Sequence, residues 1–426
     1  MIFDEKTRRF DGGMSLFSVR TGHFERMNEY DIAVIGGGAS GMAAAICAAD
    51  TAPKARVCVC EALPRVGKKL LATGNGRCNL MNETARAEAY FGESAFISPA
   101  LELYKREYPA FWRLLGLRLS TEEAGRVYPA GNQAAAVLDV LRLALSERHV
   151  SELTECEVTK IAPDRGSFLL STARGPLRAR RVILATGGRA GKGLGENDSF
   201  EKLLRPLGHR FTPLFPALTW LTVPREHIAG LKGLRYRGSI ALYEEDRLLS
   251  REEGEVLFQD EALSGIASMQ LSLFAAGKRH LSAVMSLVPE DFDILARAER
   301  FAGRTAGELL TGAVNKQMAL LALKRCLIPV TAPVSSLKKE ALLRLKKELT
   351  AWRVPVTGTG DFRSAQVMLG GADTREFDEN TLESKKAPGL YACGELLDVT
   401  GPCGGYNLEW AWACGMLAGR KAAESL

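Results

Sequence analysis

Residues 30–61 read YDIAVIGGGASGMAAAICAADTAPKARVCVCE, and this stretch decides the fold. It opens with an apolar run of strand length, residues 30–35, which ends in glycines. Residues 39–50 are rich in alanine, which favours a helix. Residues 55–60 alternate in polarity and predict a second strand. Strand, helix and strand within about 30 residues indicate a βαβ unit with two parallel strands.

The glycines between the first strand and the helix have the spacing G-x-G-x-x-G. Gly36 permits a tight turn, Gly38 lets the backbone approach a pyrophosphate, and Gly41 lets the helix pack closely on the strand. Ala39 and Ser40 begin the helix, whose N-terminus presents free N–H groups to phosphates. The pattern therefore predicts dinucleotide binding.

Glu61 lies 20 residues after Gly41, at the end of the second strand. A carboxylate at this place accepts a hydrogen bond from the 2′-hydroxyl of an adenosine ribose, and it disfavours a 2′-phosphate. The order and spacing of the two strands, the glycines, the helix and the acid thus match those of a dinucleotide-binding βαβ unit.

Four further segments favour FAD over NAD as the dinucleotide. Residues 67–79 (GKKLLATGNGRCN) form a basic, glycine-rich loop that a simple NAD-binding unit does not need. Residues 185–188 (ATGG) end a predicted strand, and Gly394-Glu395 follows another, where an acid commonly meets the ribityl hydroxyls of FAD. Residues 401–408 (GPCGGYNL) open the last helix, whose N–H groups would face the flavin and stabilise its reduced, anionic form.

These segments define the predicted cofactor contacts. In chain order they are Gly36, Gly38, Ala39, Ser40, Gly41, Glu61, Lys68, Lys69, Asn75, Gly76, Arg77, Cys78, Asn79, Thr186, Gly187, Gly188, Gly394, Glu395, Gly404, Gly405, Asn407 and Leu408.

Composition places the chain among globular proteins that bind small molecules. The 426 residues predict two to three domains. The net charge is +6, but the basic residues form no clustered stripe with interleaved aromatics, which argues against a nucleic-acid partner. Nine cysteines without a C-x-x-C pair indicate a reducing compartment, and five histidines without metal spacing predict no metal site.

No targeting or membrane segment is apparent. Residues 1–26 carry several charges without an apolar segment behind them, so we predict a disordered extension rather than a signal peptide. The uncharged residues 32–49 are divided by glycines into a strand and a helix start, so no membrane partner is expected. These features predict a soluble, cytoplasmic protein.

The fold class is therefore α/β, with a Rossmann-like FAD-binding domain interrupted by insertions. We assign residues 27–194 and 353–426 to that domain. Residues 195–288, rich in predicted strands, form an inserted β-rich domain, and residues 289–352 form an inserted helical domain.

Several blocks resemble the HI0933-like (YhiN/BaiN) family of FAD-dependent flavoproteins. They are GKKLLATGNGRCNLMN (67–82), GRVYP (125–129), ILATGG (183–188) and, above all, TLESKKAPGLYACGELLDVTGPCGGYNLEWAWACG (381–415). The resemblance implies that the β-rich insertion is barrel-like. By matching motifs, it also implies FAD contacts at Ser40, Glu61, Lys69, Asn75, Arg77, Cys78, Val158, Gly188, Glu395 and Asn407.

The resemblance leaves three activities open. The first is NAD(P)H-linked reduction of an activated C=C bond in a steroid-like or other enone, as in 3-oxo-bile-acid reductases. The second is oxidation of a small amine such as aminoacetone with O2. The third, from another class, is an FAD-bearing RNA-binding or tRNA-modifying protein. Since no second dinucleotide fingerprint occurs, NAD(P)H would dock only transiently.

Two residues are candidates for catalysis. Tyr406 precedes Asn407 at the start of the last helix, where a phenol could act as a general acid toward a substrate carbon. Cys78 lies in the loop predicted to face the flavin, where a thiol could have a redox role. No second cysteine lies within ten residues of Cys78, which argues against dithiol chemistry.

Overall fold

A computed structural model describes residues 28–191, 193 and 198–426. The predicted extension, residues 1–26, lies outside the described residues. In chain order, strands β1 to β19 are Asn28–Ile35, Val57–Cys60, Met81–Asn82, Leu119–Thr121, Arg126–Pro129, Ser151–Leu153, Val158–Asp164, Ser167–Thr172, Gly175–Leu184, Phe215–Ala217, Leu221–Thr222, Arg235–Glu244, Arg247–Phe258, Ala262–Ser264, Leu281–Met285, Trp352–Val356, Gly358–Thr359, Val367–Leu369 and Leu390–Ala392. Helices α1 to α11 are Ala39–Thr51, Lys68–Ala72, Ser94–Leu114, Ala134–Glu147, Ser199–Leu204, Ile266–Ala275, Ile294–Arg300, Ala306–Leu309, Lys316–Arg325, Lys339–Thr350 and Tyr406–Glu424.

The first sheet contains the predicted βαβ unit, which is confirmed. Strand β1 lies at its centre and pairs in parallel with β2 on one side and β9 on the other. β6 extends the sheet beyond β2, and β19 pairs in parallel with the second half of β9. The hairpin β7–β8 adds antiparallel strands along the first half of β9. The last four residues of β1 are buried, as expected for a parallel strand covered on both faces.

Helix α11 lies directly on α1, and glycines make the contact close. A Cβ atom on Gly415 would lie 2.4 Å from the carbonyl oxygen of Ser40. One on Gly419 would lie 2.1 Å from the carbonyl oxygen of Ala44. Side chains of any size at these positions would separate the two helices. The contact therefore holds the C-terminal helix against the first helix of the chain.

The second sheet has the order β16-β15-β12-β13-β14-β11-β17. Its two edge strands, β16 and β17, are separated in the chain by Thr357 alone. The two edges therefore lie close together, and the sheet curls into the barrel-like form that the resemblance implied. Helix α6 packs on its core through Ala267, Leu271 and Ala275.

Two domain boundaries differ from the sequence-based assignment. Strands β16 and β17 belong to the second sheet, whereas the sequence-based assignment ended the β-rich insertion at residue 288 and placed residues 353–359 in the FAD-binding domain. Helix α5 lies within the range assigned to the β-rich insertion, yet its Phe200 and Leu203 belong to the core of the first sheet. Pairing of β16 with β15 joins distant segments, so local pattern does not reveal it. Helices α7 to α10 surround a separate small core.

Two short sheets complete the set of β-sheets in the described residues. One has the order β3-β5-β4, and the other pairs β10 with β18. Within the described ranges, no helix combines the length and apolar character needed to cross a bilayer.

We expect Gly419→Ala to destabilise the fold, because the added methyl group would meet the backbone of α1. Overpacking of this kind typically costs about 1–3 kcal/mol. Thermal unfolding followed by circular dichroism measures the effect. Gly131→Ala is the matched control, since a Cβ there has no atom within 4 Å. Equal unfolding temperatures for both variants would contradict the close contact.

Candidate functional site

A cleft opens where β1, β2 and β9 end at the carboxyl edge of the first sheet. Its empty volume is about 1320 Å³, counting the solvent at its mouth. The parallel strands bring together segments that are far apart in the chain, as is general for ligand sites in such sheets. The predicted contacts that line it are Gly36, Gly38, Ala39, Ser40, Glu61, Lys68, Lys69, Val158, Thr186, Gly187, Gly188, Glu395, Asn407 and Leu408.

The three fingerprint glycines have different tasks. Gly36 has φ +105°, and a Cβ there would lie 2.4 Å from the carbonyl oxygen of Ala185. A Cβ on Gly41 would lie 1.9 Å from the carbonyl oxygen of Gly36. Gly38 is different, since a Cβ there would have no atom within 4 Å. Gly36 and Gly41 are required by chain packing, whereas Gly38 leaves space open in the cleft.

Glu61 joins the glycine turn to the end of β2. Its Oε2 accepts a hydrogen bond from the Gly37 N–H at 2.8 Å, and its Oε1 accepts one from the Leu63 N–H at 2.8 Å. Each carboxylate oxygen keeps a further lone pair. The carboxylate is thus held in place while it can still accept from a ribose hydroxyl in the cleft.

Lys69 and Glu395 form an ion pair in the middle of the cleft. The Lys69 Nζ lies 2.7 Å from Glu395 Oε2, with side chains 31% and 19% exposed. The Met368 N–H donates to Glu395 Oε1 at 2.9 Å. Helix α2 thereby meets the segment that follows β19, and the acid predicted to meet the ribityl chain lies in the cleft.

The residues present fit FAD on two observations from the structure. Helix α1 has no side-chain cap and no acidic residue in its first turn, which leaves its N-terminal N–H groups available for phosphates. The Oγ1 of Thr186 is buried and has no hydrogen-bond partner in the described part of the chain. A buried hydroxyl without a partner is costly, and a ligand in the cleft would satisfy it.

A second cavity adjoins the cleft, with an empty volume of about 1660 Å³ including solvent at its mouth. Among the residues that line both spaces are Lys69, Asn407 and Leu408, so the two spaces share part of their walls. The second cavity also contains the predicted contacts Asn75, Arg77, Asn79, Gly404 and Gly405. It lies at the junction of the 67–79 loop and the 401–408 segment, where the sequence predicts the flavin.

The walls of this cavity are apolar with basic groups among them. Leu218, Ile266 and Met269 come from the β-rich insertion. The cations are Lys69, Arg77, Arg126 and Arg363. No acidic side chain of the described residues lines this cavity. Its electrostatic field therefore favours neutral or anionic ligands over ammonium groups.

Left-handed backbone shapes the loop after α2. Gly74, Asn75 and Cys78 have φ between +55° and +58°. Arg77 pairs with Glu122, donates to Asn132 Oδ1 at 2.7 Å and lies over the Tyr128 ring. These partners occupy the guanidinium of Arg77 within the protein.

The two catalytic candidates from the sequence line neither cavity. Cys78 is fully buried, and burial raises the pKa of its thiol to about 12. Tyr406 turns its ring toward Tyr90, with ring centroids 5.7 Å apart in an edge-to-face arrangement. The structure instead brings Arg126, Tyr128 and Cys403 to the second cavity.

Several glycines among the predicted contacts either line neither cavity or are explained by chain packing. Gly41, Gly76 and Gly394 line neither space, and Gly394 packs on the Ser40 hydroxyl, to which a Cβ would come within 2.5 Å. Gly405 has φ +105°, and a Cβ on it would lie 2.5 Å from the Met81 carbonyl oxygen. The close approach of the backbone to β3 therefore requires a glycine at this position. Gly41, Gly394 and Gly405 therefore support the site through packing.

Asn407 holds the turn before α11. Its Oδ1 accepts from the Gly401 N–H at 2.8 Å, and its Nδ2 donates to the Gly401 carbonyl at 2.8 Å. The side chain that was predicted to contact the cofactor thus also closes the 401–407 turn on itself.

Glu409 is a buried carboxyl that the sequence did not single out. It is 0% exposed, and its Oε2 accepts from the Asn82 N–H at 3.0 Å, which links α11 to β3. Burial raises the pKa of Glu409 to about 7, opposed by the Asn82 hydrogen bond and the charge of Lys105. The sequence patterns also did not identify Arg126 and Gln366 as residues that line the second cavity. The GRVYP block nevertheless contains Arg126.

All nine cysteines are free. Among the described residues, no group of three or more His, Cys, Asp or Glu side chains has an arrangement suited to a metal ion.

Comparisons with known proteins extend over nearly the whole chain. Residues 30–421 match the family described as the HI0933-like protein Rossmann domain. The chain is 38% identical over 408 residues to the 3-dehydro-bile acid delta(4,6)-reductase of Clostridium scindens, covering 92% of this chain and 99% of the relative. It is 29% identical over 401 residues to the ribosomal RNA dihydrouridine synthase of Escherichia coli, covering 91% and 96%.

A solved structure shares the fold at low identity. The 3-ketosteroid delta1-dehydrogenase of Sterolibacterium denitrificans, in complex with 1,4-androstadiene-3,17-dione, matches with a TM-score of 0.52 and 12% identity. The match covers 94% of this chain and all of that chain.

We expect Glu61→Gln to weaken FAD binding, because glutamine keeps the shape but loses the charge and one acceptor oxygen. A hydrogen bond to a charged group contributes about 1.5–3 kcal/mol, so the dissociation constant should rise about ten- to hundredfold. Fluorescence titration of the apoprotein with FAD measures it. Glu152→Gln on β6 is the matched control, and unchanged affinity in Glu61→Gln would exclude the ribose contact.

The buried carboxyl of Glu409 predicts a pH dependence of stability. In the unfolded chain this group releases its proton near pH 4.5, whereas in the folded protein it does so near pH 7. The folded state therefore binds more protons between these values, and stability falls as pH rises through this window. Glu409→Gln should flatten the fall. Thermal unfolding of the parent and of Glu409→Gln at pH 5 and at pH 8 measures this change. If the parent and the variant differ in stability by the same amount at both pH values, the pKa of Glu409 is not raised by folding.

Proposed function

Because the chain belongs to the HI0933-like family and is an FAD-dependent oxidoreductase, we propose that it reduces a C=C bond conjugated to a carbonyl group. The observation that carries the proposal is the second cavity, which is largely apolar, is lined by cations and adjoins the cleft at the carboxyl edge of the first sheet. A flat, apolar enone suits such a cavity.

The names of the relatives support this reaction type. A delta(4,6)-reductase of a 3-dehydro bile acid removes unsaturation conjugated to a ketone. A dihydrouridine synthase saturates the C=C bond of uracil, which is also conjugated to a carbonyl group. Both reactions add a hydride to the carbon remote from the carbonyl and a proton to the carbon next to it. We propose the same type of reaction for the present chain.

The chain's own residues have defined tasks in this proposal. FAD, when bound, supplies the hydride from its reduced flavin. The α1 N-terminus and Gly38 hold the pyrophosphate, Glu61 holds the adenosine ribose, and Glu395, paired with Lys69, holds the ribityl chain. Leu218, Ile266 and Met269 exclude water from one side of the substrate.

The electron donor is proposed to be NAD(P)H acting without a site of its own. The sequence contains a single G-x-G-x-x-G fingerprint in a βαβ unit, and the FAD adenosine would occupy it. The nicotinamide would then enter the second cavity before the substrate does. We expect a Michaelis constant in the upper part of the usual range of about 1 μM to 1 mM.

Two substrate classes remain candidates for the double bond. The apolar wall favours a steroid-like or other lipophilic enone, and we take this as the leading class. The exposed Arg363, which lines the cavity and has no hydrogen bond or ion pair in the described chain, favours a phosphate-bearing substrate such as uridine in RNA. Oxidation of a small amine is the least favoured, because this cavity has basic groups and no described acid to hold an ammonium group.

We expect an enone to reoxidise the reduced enzyme in the absence of oxygen. The flavin is first reduced by light, then mixed with 2-cyclohexenone, a 3-keto-4-ene steroid or ribosomal RNA, and its absorbance is followed. Cyclohexanone and the saturated steroid are the matched controls. Recovery of the oxidised spectrum with the unsaturated compounds alone supports the proposal. Recovery with none of them, or bleaching of the oxidised enzyme by aminoacetone, would refute it.

A further inference from the structure

We propose that Arg126 is a catalytic residue that binds the carbonyl oxygen of the substrate and stabilises the negative charge that develops there. This inference rests on the proposed function, because it assigns a group to the reduction of a conjugated C=C bond. It assigns a role to a residue outside the dinucleotide fingerprint.

The backbone of Arg126 is fixed by the small sheet at the cavity. Arg126 begins β5, the central strand of the sheet β3-β5-β4, and lies opposite Asn82 of β3. Its carbonyl oxygen accepts from the Glu122 N–H at 2.7 Å. The Nε of Arg126 lies 3.7 Å from the place where a Cβ on Gly404 would be. The side chain thus reaches the wall beside the segment that opens α11.

The surroundings of the Arg126 guanidinium leave it available to a ligand. It is half-buried, lines the second cavity and makes no hydrogen bond or ion pair with any of the described residues. Arg77 in the same cavity differs, since Glu122, Asn132 and Tyr128 occupy it. A guanidinium carries five N–H donors, and none of those of Arg126 is engaged by a described residue. The structure therefore offers Arg126, rather than Arg77, to an oxygen acceptor.

The electric field of Arg126 acts within the cavity. Burial raises the pKa of the Cys403 thiol, and the positive charge of Arg126 opposes that rise. No described acid lines the cavity to neutralise the charge. A cation aimed at a site of developing negative charge in a largely apolar space is the arrangement that stabilises an oxyanion.

The step balances without a proton from Arg126. The hydride from the reduced flavin adds to the carbon remote from the carbonyl, and the electron pair of the C=C–C=O system moves onto the oxygen as an enolate. A proton from solvent then adds to the carbon next to the carbonyl and restores the C=O bond. Arginine keeps its proton at all relevant pH values, so Arg126 stabilises the enolate and transfers nothing.

The test uses p-nitrophenol, a planar phenol whose anion resembles an enolate and absorbs visible light. Bound to the FAD-loaded enzyme, it should have a pKa below its value in solution. In Arg126→Gln that pKa should rise by one unit or more, and Arg126→Lys should restore part of the difference. Arg118→Gln, at an exposed arginine just before β4 and outside both cavities, should behave as the parent. This readout needs no turnover.

Kinetics gives the second readout. Reoxidation of the reduced flavin by 2-cyclohexenone should be about a hundred- to thousandfold slower in Arg126→Gln, the usual effect of removing one oxyanion donor. Bound FAD, measured after heat release, should be unchanged. Loss of FAD from Arg126→Gln would place this arginine in the cofactor site, and an unchanged pKa of bound p-nitrophenol would show that it faces no ligand oxygen. Either result overturns the inference.

The proposed function fails separately from this inference. If the parent binds p-nitrophenol with an Arg126-dependent pKa but its reduced flavin reacts with no enone, the enone reaction is wrong and the arginine still binds an anionic oxygen. If enones react and Arg126→Gln reacts as fast as the parent, the function stands and the role of Arg126 is refuted.

Discussion

The near contact of backbone with backbone around α1 is the constraint on which the site depends. Gly36 approaches the Ala185 carbonyl at the end of β9, and Gly41 approaches the Gly36 carbonyl within the turn. On the other side of α1, Gly415 and Gly419 of α11 lie against carbonyls of α1 itself. Because no side chain separates these segments, the start of α1, the end of β9 and the C-terminal helix meet at one cleft. Larger residues at these glycines would move the two halves of the split domain apart.

The two adjoining spaces differ in their electrostatic environment. In the dinucleotide cleft, Glu61 and Glu395 are both engaged, the first by backbone N–H groups and the second by Lys69 and a backbone N–H. In the second cavity, basic groups stand among apolar side chains with no described acid beside them. Such a space favours neutral or anionic groups over ammonium groups.

The sequence predicted the fold and the outline of the cleft well, because both rest on local patterns. The βαβ unit, the strand that ends in ATGG and the acid after the 389–394 strand each produce a short signal in the chain. The candidates Tyr406 and Cys78 show the limit of that approach. Both belong to segments that contribute residues to the second cavity, but their own side chains pack against the protein, Tyr406 on Tyr90 and Cys78 in the core. Side-chain direction depends on neighbours from distant segments, and a motif does not contain that information.

By itself, the sequence determined that this chain forms a parallel α/β fold with a dinucleotide fingerprint, because hydrophobic period and glycine spacing are properties of contiguous residues. Only the tertiary structure decided what completes the site. It showed that β16 and β17 belong to the inserted sheet, that Gly405 faces β3, and that Arg126, in a cavity beside the cleft, has no ion-pair partner among the described residues. The physical reason is that strand pairing, close backbone approach and the absence of a counter-charge all depend on residues that are distant in the chain.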